Sequence, residues 1–110
     1  MGSLVESREL PVVDAGGGIS RQVLAGAKLL VAAVTVQAGC TVARHSHPHE
    51  QIGYVVSGRA VFTVGDAQRE VGPGAMYTIP GGEEHSVTVI SDGPAVFVDV
   101  FTPVREDYRA

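Results

Sequence analysis

The chain is poor in the features that would tie it to a membrane, a nucleic acid or an oxidising compartment. Cysteine occurs once in 110 residues, as Cys40, so no disulfide can close within one chain, and a reducing, cytoplasmic setting is the expectation. Basic residues are scarce: 8 Lys plus Arg stand against 12 Asp plus Glu, for a formal net charge of -4, with no basic run. That excludes the electrostatic footprint of a nucleic-acid binder. The longest apolar run, Leu29 to Val34, falls far short of the roughly 18 residues of a membrane span. The opening string MGSLVESREL has no basic start followed by an apolar stretch, so no secretory signal is expected. Glu6 stands where a myristoylation motif needs Ser or Thr, and that motif fails. Tryptophan is absent, and a helical hydrophobic period is missing throughout.

What remains is 45% hydrophobic and 18% charged, the make-up of one compact domain over 1–110, able to bury roughly 60 to 70% of its unfolded surface. Its 14 glycines and 6 prolines fall between short β-rich runs and punctuate strands. Period-two alternation places strands at about 10–14, 21–25, 28–37, 40–44, 51–57, 59–65, 68–71, 75–79, 85–91 and 95–101. Ser57-Gly58, Gly65-Asp66 and Asp92-Gly93-Pro94 are the turns between them. About ten short, evenly spaced strands read as an all-β sandwich or barrel. Ala15 to Gly18 reads as a flexible loop, which leaves residues 1–14 free to act as an arm on another subunit's sheet edge, so a homodimer is expected. The charged string 103–110, PVREDYRA, reads as a surface segment or docking tail.

The four histidines are grouped. Three lie in His45-Ser46-His47-Pro48-His49, and the fourth is His85, which ends a Pro-Gly loop. On a strand, residues i and i+2 face the same way, so His45 and His47 can aim two imidazoles at one point, as a metal site requires. One isolated histidine would be read as exposed or hydrogen-bonded; a pair at this spacing with a distant third favours a metal. A second anomaly is the strand Ala95 to Phe101, where alternation puts Phe97, Asp99 and Phe101 on one face. A carboxylate there must be paired, exposed or kept for function, because burying it alone is costly. Arg105 is one nearby partner.

These spacings resemble the two motifs of the cupin superfamily. Gly39, His45, His47, Gln51 and Gly58 occupy the first motif, about 39–58, with Gln where Glu is usual; Gly74, Pro80, Gly82 and His85 occupy the second, about 74–89, which ends at Val89 in place of Asn. The resemblance implies a double-stranded β-helix, or jelly-roll barrel, and one divalent transition metal (Ni, Zn, Fe, Mn or Cu) held by His45, His47, Gln51 and His85. Glu50 and His49 are competing donors. Glu50 is one residue off the family spacing and on the opposite strand face, and both are expected outside the ligand set. An amide in place of a carboxylate leaves the ion its full charge, which favours polarising an anionic oxygen and stabilises a ferric state less.

The ending DVFTPVRED, after HSHPHEQIGYVVSG, is further similar to the small cupins of pectin and alginate breakdown that open 4,5-unsaturated uronate rings. That likeness implies a small anionic substrate, Asp99 as general base, Phe101 as pocket wall and Arg105 as carboxylate clamp, the three matching a D-x-F-x-x-x-R arrangement. Tyr54 and Tyr77 are expected at the core or rim. The competing readings are a non-haem metal dioxygenase, cyclase or lyase on the same scaffold, or a cupin that binds a small molecule without turnover.

Overall fold

Inward and outward side chains alternate along most of the chain, and the strands follow from that alternation. The computed structural model describes residues 2–109. Among them run β1 (Val13–Gly16), β2 (Ile19–Ala25), β3 (Leu30–Val36), β4 (Thr41–His45) and β5 (Glu50–Ser57), then β6 (Ala60–Val64), β7 (Ala67–Val71), β8 (Met76–Ile79), β9 (His85–Val89) and β10 (Ala95–Thr102). A large sheet has the order β1-β2-β3-β10-β5-β8 and a small one β4-β9-β6-β7, all pairs antiparallel. Most steps along the chain from β3 onward cross between the sheets, which gives the all-β jelly roll that the sequence implied.

One core joins the two layers. Val36, Val55, Ile79 and Phe97 of the large sheet meet Ala60, Phe62, Val87 and Val89 of the small one, all buried. A second cluster, Leu30, Ala32, Phe101 and Val104, closes one end. Fully burying a side chain such as Leu30, Ile79 or Phe101 contributes roughly 1.5–3 kcal/mol, and no cross-link is needed to hold the layers. Against this apolar interior, the buried polar side chains among the described residues are His47, Gln51, His85 and Asp99. Each is costly to bury without partners, so these four positions mark the place where packing is subordinated to chemistry. The outer face of the large sheet differs: Ile52, Tyr54, Val56 and Met76 are all exposed there.

Three departures from the sequence reading concern the two ends. The first strand begins at Val13 rather than near residue 10, and Ala15 to Gly18 is not a flexible loop. Gly16, Gly17 and Gly18 all have positive φ, and they close a tight hairpin that pairs β1 with β2 of the same chain. Residues 7–9 form a short 3-10 turn, and the side-chain amide of Gln22 donates to the backbone carbonyls of Ser7 and Leu10. Part of the stretch expected as an arm, from Ser7 onward, is thus tied to its own body, while Leu4 ahead of it is fully exposed. At the other end, 103–109 is more than a surface tail. Val104 is buried, and one helical turn, α1 (Glu106–Arg109), rests against β2. A single turn is too short to leave a helical period in sequence.

Candidate functional site

The small sheet supplies nitrogen donors. His45, the last residue of β4, is the cross-strand partner of His85, the first of β9, and their ring centroids are 4.2 Å apart. His47 follows in the connection to β5, with its ring centroid 4.9 Å from that of His85. One ring nitrogen from each of the three lies within 4.8 Å of the other two. Their outer nitrogens are committed. Nδ1 of His45 donates to the Ala43 carbonyl at 2.7 Å, that of His47 to His49 at 3.0 Å, and that of His85 to Glu83 at 2.9 Å. A carbonyl only accepts, so the proton sits on Nδ1, and in the neutral ring Nε2 keeps its lone pair. Burial favours that neutral form, lowering the His85 pKa to about 4 and that of His47 in the same direction.

Gln51 enters from the large sheet. It is buried, and its Oε1 lies 3.0 Å from Nε2 of His47. With the His47 proton fixed on Nδ1, both of these atoms carry lone pairs and neither can donate to the other. A shared cation resolves the conflict, so three imidazoles and an amide oxygen fit a divalent ion by the chemistry of their donors. Gln51 also lies beside Asp99 and favours its charged form. Glu50 is exposed, and His49 is not among the three convergent histidines; its Nδ1 is buried without a partner.

Next to the donors is a carboxyl placed by strand register. Tyr77, Gly53 and Asp99 are successive cross-strand partners on β8, β5 and β10. Because the middle residue has no side chain, the Tyr77 ring lies across it and its hydroxyl donates to Asp99 Oδ1. A Cβ on Gly53 would stand 2.2 Å from the ring, so the contact exists only with glycine there. Desolvation raises the Asp99 pKa, and the hydrogen bonds from Tyr77 and Gln51 and the charge of Arg105 partly offset it. Burial and the adjacent Asp99 push the Tyr77 phenol upward, so it remains a donor. Asp99 is therefore neither at a wet edge nor held by Arg105.

The pocket containing His45, His85, Gln51, Tyr77 and Asp99 is closed by Phe101, Arg105 and Tyr108. Phe101 packs edge-on against His47 at 5.5 Å and lies beneath the Arg105 guanidinium at 5.0 Å. Arg105 is 12% exposed, and its Nε donates to both carboxylate oxygens of Asp107, at 3.1 and 3.2 Å. All seven residues singled out from the sequence therefore lie in or against one cavity. Tyr54, set opposite Gln51 by strand parity, faces outward. Sequence reasoning undervalued Tyr77, although its parity with the buried Ile79 was available, and it passed over Tyr108, for which no period gives a signal.

A family model described as "Cupin domain" matches residues 32–101. An uncharacterized protein of Streptomyces coelicolor is 34% identical over 89 residues, 81% of this chain and 84% of that protein. Among solved structures, KdgF from Halomonas sp. superposes with a TM-score of 0.90 at 28% identity, covering 97% of this chain and 98% of its own. An RmlC-like cupin from Shewanella frigidimarina gives 0.90 at 25% identity, over 98% and 96% of the two chains.

Proposed function

The chain belongs to the cupin family, and on that footing we propose that it is a metal-dependent enzyme that opens the ring of a 4,5-unsaturated uronate and releases the open-chain keto form. One observation carries the reading: an uncharged set of three imidazoles and one amide oxygen shares a cavity with one buried carboxyl, Asp99, and one guanidinium, Arg105. His45, His47, His85 and Gln51 would hold the divalent ion, which when bound supplies Lewis-acid polarisation of an anionic oxygen.

The remaining steps belong to the chain's own side chains. Arg105 holds the substrate carboxylate through the guanidinium nitrogens that Asp107 leaves free. Asp99 accepts the proton of the anomeric hydroxyl as general base. The electron pair of that O–H bond forms the new carbonyl as the ring carbon–oxygen bond breaks, and its oxygen leaves as an enolate. One proton delivered to the enolate carbon balances the one taken and gives the ketone. Tyr77 fixes the Asp99 carboxyl by its hydrogen bond, and Phe101 walls the pocket against water. Incubating metal-loaded protein with lyase-generated unsaturated monouronate, while following loss of the enol-ether absorbance, tests the proposal. Acceleration over the spontaneous reaction supports it; equal rates with and without protein contradict it. Oxygen uptake by an iron-loaded preparation would point instead to dioxygenase chemistry.

A further inference from the structure

Arg21 is a charged residue in an apolar row. Strand register makes Val13, Arg21, Val34, Phe97 and Val55 successive cross-strand partners, and Val34 and Phe97 line the pocket. Cross-strand partners share a face, so Arg21 projects to the inner side of the large sheet. Its Nε is shut from solvent without a hydrogen-bond partner, and among the described residues no acidic side chain forms an ion pair with it.

Its charge rests instead on Tyr108. The Arg21 guanidinium carbon is 4.1 Å from the centroid of that ring, and the Arg105 guanidinium carbon is 4.0 Å from the same point. The two cations therefore lie no farther apart than the sum of those distances. Tyr108 also packs on Phe101, with centroids 5.4 Å apart, and lines the pocket beside Arg105. A ring that carries two guanidiniums offers a face to both cations but neutralises neither. Asp107 partly offsets Arg105, whereas Arg21 keeps an uncompensated charge behind the pocket wall. Two like charges held this close repel, and an anion drawn into the pocket beside Arg105 and Tyr108 offsets both, the Arg21 charge acting from behind the ring.

We propose that Arg21 and Tyr108 complete an anion-selecting end to the pocket: Tyr108 positions Arg105, and Arg21 supplies a second positive charge, so that carboxylate-bearing small molecules are admitted over neutral ones of the same shape. The inference rests on the anionic-substrate half of the proposed function and extends it to residues outside the D-x-F-x-x-x-R string. Arg21 is a positioning and specificity residue here, and Asp99 chemistry does not depend on it.

The test is calorimetric binding of D-galacturonate, neutral D-galactose and malonate to the full chain, with melting temperatures for every variant. Wild type should bind galacturonate more tightly than galactose, with the gap closing as salt is added. Arg21→Gln and Tyr108→Leu should each weaken galacturonate about five- to tenfold and leave galactose unchanged. Tyr108→Phe, which keeps the ring, should stay within about twofold, and Arg21→Lys should fall between. Should Tyr108→Leu fail to fold, Arg21→Gln, at a half-buried strand position, decides the matter. Galacturonate binding that is indifferent to Arg21→Gln overturns the inference and leaves the uronate reading standing. Malonate binding that depends on Arg21, without galacturonate binding, sustains the inference and removes the uronate reading. No binding of either carboxylate removes both.

Discussion

The two sheets bring different chemistry to one cavity. The small sheet gives two histidines on paired strand ends, with a third just beyond, each fixed by a backbone carbonyl. The large sheet gives Gln51 and Phe101 beside Asp99, a carboxyl that accepts from the Tyr77 hydroxyl and that burial makes hard to ionise. One side holds a lone-pair cluster that needs a cation; the other holds a group that needs a proton. Gln51 joins them, its oxygen turned toward His47 and its amide beside Asp99. Under the proposed function, the difference assigns metal retention and proton transfer to separate layers, so that each can be lost separately.

The widest separation should come from Asp99→Asn. Turnover of the unsaturated uronate should fall by roughly a thousandfold, in keeping with loss of a general base, while metal content stays at the wild-type value. Loss of bound metal in that variant would merge the two layers that the structure keeps apart.

Gly53→Ala should act almost wholly on the large sheet. The added methyl meets the Tyr77 ring at 2.2 Å, so the ring must leave Asp99. A rate loss of roughly 10- to 100-fold is expected with metal retained, alongside a stability loss of about 1–3 kcal/mol by denaturant titration. Tyr77→Phe, which removes the hydroxyl without a clash, should reproduce the rate loss, with the stability cost confined to that of one buried hydrogen bond, about 1–3 kcal/mol.

Gln51→Glu strikes the joint. It should tighten metal binding and yet slow turnover by about tenfold, because a second carboxylate then lies beside Asp99 and the ion loses part of its pull on an anionic oxygen. Metal titration and steady-state rates on one preparation separate those effects; faster turnover would contradict the value placed on an uncharged donor set.

The smallest effect concerns stability against pH in metal-free protein, where the layers have opposite signs. Unfolded, a histidine takes its proton near pH 6.5, whereas folded His85 stays neutral to about 4. The unfolded chain therefore binds more protons in that window, and stability falls as pH drops from 6.5 to 4; His47 acts in the same direction. Asp99 opposes this, since its folded pKa is raised above 3.8 and the folded carboxyl takes its proton first. Thermal melts should show an acid loss that steepens in Asp99→Asn and flattens in His85→Asn. Identical slopes in all three proteins would remove both shifts from the account.

The same division decides what could be read from the sequence. His45, His47 and His85 were legible because an HxH spacing and a loop spacing advertise them, although β4 ends at His45 and His47 converges from the connection rather than from a continued strand. Asp99 was legible as a charge in an apolar alternation. Arg21 breaks the alternation Ile19, Arg21, Val23 in the same manner, but arginine is common on exposed strands and one charge in a short strand carries little weight. The Tyr77 contact depends on Gly53 and on register across three strands, which no local pattern encodes. Tyr108 and α1 owe their position to packing on β2 and Phe101, and one turn of helix has no period to read. The hairpin at Gly16 to Gly18 was misread because the residues that permit a flexible loop also permit a tight turn with positive φ.

The central claim is that nitrogen from the small sheet and oxygen from the large one close on a single ion. Calorimetric titration of metal-free protein with Ni(II) addresses it directly. The account predicts one site per chain, abolished in His45→Ala, His47→Ala and His85→Ala and preserved in Asp99→Asn. Binding that survives in all three histidine variants, or wild-type protein that takes up no ion, would contradict it.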